Sequence, residues 1–179
     1  MTQSSRRLSD SVLCVFPVTP LTCNANRCAL RSGPSSNSIA ATGPIRFTLA
    51  NKGVGPAIIK HVVVRVDDQP VKNWADVLQK ILGPGYHPGE ESDMSGRVFA
   101  AGESMNVFTP HDDAQNPIPF DKSNPLWAKL DTGRSRVTVE ICYCSTVGEC
   151  WTLRGGGLTP STTTQTRRCP TASASSFQQ

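Results

Sequence analysis

The sequence predicts a mainly β protein: an antiparallel, immunoglobulin-like β-sandwich with one short inserted helix. Three observations predict it. Runs of β-branched and apolar residues alternate with period two between Ile45 and Leu153. Gly (14), Pro (14), Ser and Thr fill the intervals and favour turns over long helices. Only one stretch shows good helical spacing, so several short strands around one small helix is the economical arrangement. The 179 residues suffice for one domain with a sizeable core.

Taken in order, residues 1–43 read as a flexible leader or linker, 44–155 as the β-sandwich domain and 156–179 as an extended C-terminal tail. "RSGPSSNSIAATGP" is small, polar and aperiodic, as a linker is. "IRFTLAN" alternates Ile45, Phe47 and Leu49 against Arg46, Thr48 and Ala50, a strand pattern. "NKGVGP" follows, with Gly53 and Gly55 expected to supply turn geometry and Pro56 to fix the exit. "AIIKHVVVRVDD" suits a long strand. Neither of its faces is cleanly apolar, which predicts a bulge or unequal burial at its two ends, with Asp67-Asp68 opening a turn. "NWADVLQKILG" is the helix. Asn73 caps it with Asp76 three residues on, Trp74, Val77, Leu78 and Ile81 form the apolar stripe, and Gly83-Pro84 ends it. "GRVFAAGESMNVFTP" reads as two strands around Ala101-Gly102-Glu103, "HDDAQNPIPFDKSNP" as a long loop and "LWAKL" as a short strand. "RSRVTVEICYCS" is the clearest strand and "ECWTL" its return. From Gly155 the composition turns to Gly, Ser and Thr, and the chain is expected to fray unless Cys169 ties it down.

The seven cysteines decide compartment and class together. Cys142 and Cys144 form C-x-C on one face of a strand, roughly 6.5–7 Å apart at the backbone, and Cys150 directly follows the five-residue turn "STVGE". Structural zinc sites pair C-x2-4-C knuckles, often with histidine, and His61, His87 and His111 show no such pairing here. Redox catalysis wants C-x-x-C at a helix N-terminus, which is absent. A staple fits best: Cys144 and Cys150 come opposite each other across the hairpin if they form a non-hydrogen-bonded pair. Trp151 then faces the core. Cys142 either reaches Cys169 or stays a buried thiol. The pairing of Cys14, Cys23 and Cys28 is open, and an odd total leaves at least one thiol free or bonded between chains. Disulfides imply an oxidising compartment, extracytoplasmic and either periplasmic or at the cell surface.

"LANKGVGPAIIKHVVVRVDD", "VFAAGESMNVF", "VTVEICYCSTVGECW" and "RRCP" together resemble uncharacterised bacterial membrane-anchored proteins with an extracytoplasmic β-sandwich and a YCS…ECW hairpin. The resemblance spans about residues 44–170 and implies fold, compartment and possible membrane association, but no activity. The chain departs from that group at its start. "LSDSVLCVFPVTPL" only faintly resembles a signal segment, because Asp10 and Pro17 interrupt it and bulky Leu13 makes Cys14 a poor lipoprotein site. No apolar run approaches the roughly 18 residues of a membrane helix.

The net charge of +4 is scattered, with no basic stripe interleaved with aromatics, so nucleic acid is not an expected partner. "HDD" at His111, Asp112 and Asp113 and "GEES" at Gly89 to Ser92 read as solvated loops rather than acid–base sites. No nucleophile elbow, P-loop, H-E-x-x-H or dinucleotide fingerprint occurs, and "RGGG" from Arg154 is followed by no helix that would cradle phosphate. The expectation is a non-catalytic domain without cofactor or metal, acting in protein–protein interaction or as a structural subunit of an assembly. The alternatives are a ligand- or carbohydrate-binding module using Trp74, Trp127 or Trp151, and a metal-binding domain using Cys and His.

Overall fold

A computed structural model describes residues 13–14, 32–34, 45–85, 87, 89–111, 123–156, 159–171, 173 and 176–178. The strands are β1 (Leu13–Cys14), β2 (Ser32–Pro34), β3 (Ile45–Asn51), β4 (Ala57–Val66) and β5 (Gln69–Val71), followed by helix α1 (Trp74–Leu82). Next come β6 (Gly89–Glu91), β7 (Val98–Phe99), β8 (Ser104–Pro110) and helix α2 (Trp127–Gly133), which runs into a 3-10 turn over Arg134–Arg136. The chain ends with β9 (Val137–Ser145), β10 (Cys150–Gly156) and β11 (Thr159–Thr166).

These strands form two antiparallel sheets, the architecture of a β-sandwich. One runs β1-β3-β8-β6 with β2 also on β3; the other runs β11-β10-β9-β4-β5 with β7 also on β4. The second sheet is built mostly of neighbours in sequence. The first is fed by crossovers, so β7 and β8 do not form a hairpin: β7 pairs with β4 and β8 with β3. Ile45, Phe47, Leu49 and Phe108 from one sheet meet Ile59, Val62, Val64, Val139, Ile141 and Tyr143 from the other in a single apolar core. The long strand β4 carries the expected bulge. Its register against β9 shifts between Ile59 and His61, which returns Val62, Val64 and Val66 to the core face. Asp67 and Asp68 both have positive φ (51° and 62°), the left-handed pair a tight two-residue hairpin needs. Arg136 holds Asp67 in place, its Nε donating to Oδ1 at 2.8 Å.

Helix α1 starts where the sequence places it. The Asn73 side chain accepts from the Asp76 amide at 2.9 Å, and the Asp76 carboxylate accepts from the Lys72 amide at 3.1 Å. Gly83, at φ 103°, closes the helix through its amide to the Gln79 carbonyl. Trp74 is the bolt of the core. It stacks on Phe108 (4.8 Å between centroids, 7° between planes) and tilts against Phe47 at 5.0 Å.

Three local expectations are corrected. "LWAKL" is the start of α2, not a strand: Trp127 and Leu130, three apart, are both buried, and five residues are too few to separate a period of 2 from 3.6. Gly133 lets α2 approach α1, since a Cβ there would lie 2.3 Å from Ile81 Cγ2. In "NKGVGP" the turn is closed by Asn51 rather than by left-handed glycines. The fully buried Asn51 amide donates to the carbonyls of Gly55 (2.8 Å) and Phe99 (3.1 Å), and its oxygen accepts from the Gly53 amide at 2.9 Å. Finally, the flanking segments join the sheets. β1 and β2, from within residues 1–43, pair with β3, and β11, from within 156–179, pairs with β10 over Cys150↔Thr166 to Gly156↔Thr159. Among the described residues no helix is long and apolar enough to cross a membrane.

Candidate functional site

The chemistry-bearing residues of this chain gather on the outer face of the second sheet. β9 places Val137, Val139, Ile141 and Tyr143 inward, so Thr138, Glu140, Cys142 and Cys144 must point outward. The turn into β10 is a three-residue G1-bulge type. The Gly148 amide donates to the Ser145 carbonyl (3.1 Å), the Ser145 amide donates to the Glu149 carbonyl (2.7 Å), and Gly148 takes φ 85°. Ser145 and Glu149 thus form the hydrogen-bonded pair. By alternation Cys144 and Cys150 are the next, non-hydrogen-bonded pair, with Cα atoms 4.0 Å apart and sulfurs at disulfide distance, 2.05 Å. On the inner face Trp151 lies across from Tyr143 and stacks on it at 5.7 Å.

Cys142 sits two residues before Cys144 on the same face, and its sulfur lies 2.07 Å from that of Cys169. The two bridges touch: Cys144 Sγ is 3.7 Å from Cys169 Sγ. Cys144, Cys150 and Cys169 sulfurs all fall within 4.8 Å of one another. Thr152, opposite Cys142, turns its hydroxyl to the Cys142 sulfur at 3.7 Å. Cys142, Cys144 and Cys150 are buried, and Cys169 is half-buried. Cys14 is in β1, while Cys23 and Cys28 lie outside the described residues.

From Cys169 the chain straps back over this face. Ser176 Oγ meets His61 Nε2 at 3.1 Å, and His61 is the β4 residue in register with Cys142. The Phe177 amide then donates to the Val62 carbonyl (2.9 Å) and the Gln178 amide to the Lys72 carbonyl (2.6 Å). The bond to Val62 lies on the stretch of β4 edge between β7, which pairs at Ala57 and Ile58, and β5, which pairs from Val64, and the bond to Lys72 lies just past β5. The Phe177 ring meets Trp74 edge-on at 5.2 Å, so the strap ends inside the core. The condition on the tail is therefore met: Cys169 ties it down. The one sequence signal for the docking of Phe177 is that it is a lone aromatic in the polar stretch after Trp151.

Among the described residues, the remaining candidates do not assemble into a site. His87 Nε2 contacts the Gly83 carbonyl at 3.0 Å, and His111 is half-buried at the end of β8. Asp112 and Asp113 lie outside the described residues. In "GEES", Gly89 to Glu91 are β6, where burial and then neighbouring Asp93 push the Glu91 carboxyl above its ordinary range. Trp74 and Trp127 are core residues, which leaves Trp151 as the one partly exposed tryptophan, covering Tyr143. Beside the cysteines, Glu140 is flanked by Arg154 (2.9 Å) and Arg65 (3.5 Å), an ion cluster on the same outer face. No protein-family model, curated protein or solved structure matches this chain.

Proposed function

We propose that this protein is a non-catalytic extracytoplasmic domain that works by protein–protein contact or as a structural subunit of an assembly. The observation that carries the reading is β11. It ends the second sheet, and among the described residues no strand pairs with its far side. Its eight residues, "TPSTTTQT", hold no charge, and of the devices that blunt natural edge strands, charged side chains and proline, they carry only Pro160 near the start. Thr162, Thr164 and Gln165 are exposed. Because Cys144 and Cys150 are a non-hydrogen-bonded pair, alternation makes Cys150↔Thr166 and Thr152↔Thr164 hydrogen-bonded, so the amides of Thr163 and Gln165 point outward. That edge suits strand addition by a partner. Two cysteine pairs at disulfide distance support an oxidising, extracytoplasmic setting.

Gln165→Pro tests the reading. It removes an outward amide while leaving the β10 ladder intact. Native mass spectrometry of the protein isolated from its own compartment is expected to show the assembled species lost, with melting unchanged. Assembly untouched by the substitution, or no assembled species with the parent protein, would sink the edge as the contact.

A further inference from the structure

We infer that Cys142, Cys144, Cys150 and Cys169 form a second, metal-binding state: on reduction, the four sulfurs hold one soft divalent cation of the zinc class as a tetrathiolate centre. This goes beyond the edge-contact reading and does not depend on it.

The geometry is largely in place. A tetrahedral zinc site with Zn–S of about 2.3 Å has ligand sulfurs about 3.8 Å apart. The Cys144–Cys169 separation is already 3.7 Å, and Cys150 stands within 4.8 Å of both. The fourth sulfur, Cys142, is bonded to Cys169. Cys142, Cys144 and Cys150 ride on one continuous two-stranded ribbon without a register shift between Cys144↔Cys150 and Val139↔Gly155. Cleaving the two bridges therefore leaves these three carriers held by the β9–β10 ladder. Cys169 is brought back by β11 on one side and by the hydrogen bond from the Phe177 amide to the Val62 carbonyl on the other. Each bonded pair must only open from about 2.05 Å to about 3.8 Å, within reach of side-chain rotation.

The surroundings suit four thiolates and one cation. Thr152 points its hydroxyl at the Cys142 sulfur, an outer-shell hydrogen bond of the kind that orients metal ligands. Four thiolates and a divalent ion sum to a charge of about −2, and Arg167 and Arg168 directly precede Cys169. The site is largely buried, so competing water is limited. Histidine is not needed: His61 engages Ser176 and His87 the Gly83 carbonyl.

The exchange balances with a dithiol as reductant. Two dithiols each deliver two electrons and two protons, cleave the two S–S bonds and leave as cyclic disulfides. The four resulting thiols release four protons as the cation binds. In either state the same sulfurs hold the strap on the sheet, once by covalent bonds and once through the ion.

The test uses the full chain, reduced anaerobically with a phosphine, freed of metal and titrated with Co(II), then with Zn(II). The expected result is one ion per chain by native mass spectrometry, with the thiolate charge-transfer and ligand-field bands of tetrahedral Co(II), displaced by Zn(II). Alkylation followed by peptide mapping is expected to show Cys142, Cys144, Cys150 and Cys169 protected by the ion. Cys169→Ser should weaken binding by more than about a hundredfold, beyond the loss of an outer-shell partner. The inference is overturned if the reduced chain stays folded by circular dichroism yet gives no thiolate bands. It is equally overturned if it unfolds and Co(II) does not restore it, or if protection falls on Cys14, Cys23 and Cys28 while these four are alkylated. None of these results bears on the Gln165→Pro experiment, so the two readings fail separately.

Discussion

The two sheets of this molecule solve the same packing problem by different means. The sheet of β9, β10 and β11 is a ribbon of consecutive strands with short turns, cross-linked on its outer face by sulfur and continued by β4. The sheet of β3, β8 and β6 is assembled from strands far apart in the chain. It has no cysteine pair among its described residues, and Trp74 of α1 fastens it to the rest. Local hairpins bring their partners together at small entropic cost, whereas distant strands must close long loops before their contacts reward it. The difference teaches that the sheet of β3, β8 and β6 depends on the core and the sheet of β9, β10 and β11 on its own ladder and bridges.

The sharpest way to break that contrast is Trp74→Ala. Trp74 is 1% exposed and touches Phe47, Phe108 and Phe177, so its loss should cost about 3–5 kcal/mol by urea unfolding. Hydrogen exchange should rise first in β3 and β8. Uniform loosening of both sheets would show that the core does not divide its work in this way.

The bridges come next. On a loop-closure account, opening Cys142–Cys169, with a sequence separation of 27, by Cys169→Ser should cost about 3–4 kcal/mol. Opening Cys144–Cys150, with a separation of 6, by Cys150→Ser should cost about 2 kcal/mol. Melting with and without reductant ranks the two, and identical losses would count against chain entropy as their origin. Asn73→Ala follows, at about 1 kcal/mol, because it strips the cap that starts α1.

The smallest effect is a pH dependence. The Asp67 carboxyl is held below its ordinary range by the hydrogen bonds from Arg136, and Glu103 by the amide of Ala100 and then by Arg97. A depressed carboxyl stabilises the fold above its unfolded value, and that contribution is lost as pH falls through the folded one. Glu91 acts in the opposite sense, being relieved on acidification. Asp67→Asn is thus expected to lower stability slightly at neutral pH, the pair being exposed, and to flatten the acid limb, with mutant and parent converging as pH falls through the folded value of Asp67. A matched effect of Glu103→Gln would place equal reliance on the β7–β8 link as on the β4–β5 turn.

How much of this was legible depended on how far apart the partners lie in the chain. The run "RSRVTVEICYCS" shows its two faces by period alone, and "NWADVLQKILG" shows its cap, its stripe and its stop. The turn at Asp67-Asp68 and the bulge in β4 were also readable, because each is a local conflict of pattern or charge. "LWAKL" was not, since five residues fit either period. Asn51 escaped because its three hydrogen bonds reach the backbone of a neighbouring turn and of Phe99, 48 residues away.

By itself the sequence determined the mainly β architecture, the helix and the opposition of Cys144 to Cys150 across a hairpin, all of which follow from spacing within a dozen or so residues. Only the tertiary structure decided that β7 and β8 part company to different sheets, that Phe177 docks on β4, and that Cys142 meets Cys169 rather than staying a buried thiol. Those outcomes depend on which distant surfaces bury one another, and side-chain periodicity carries no record of that.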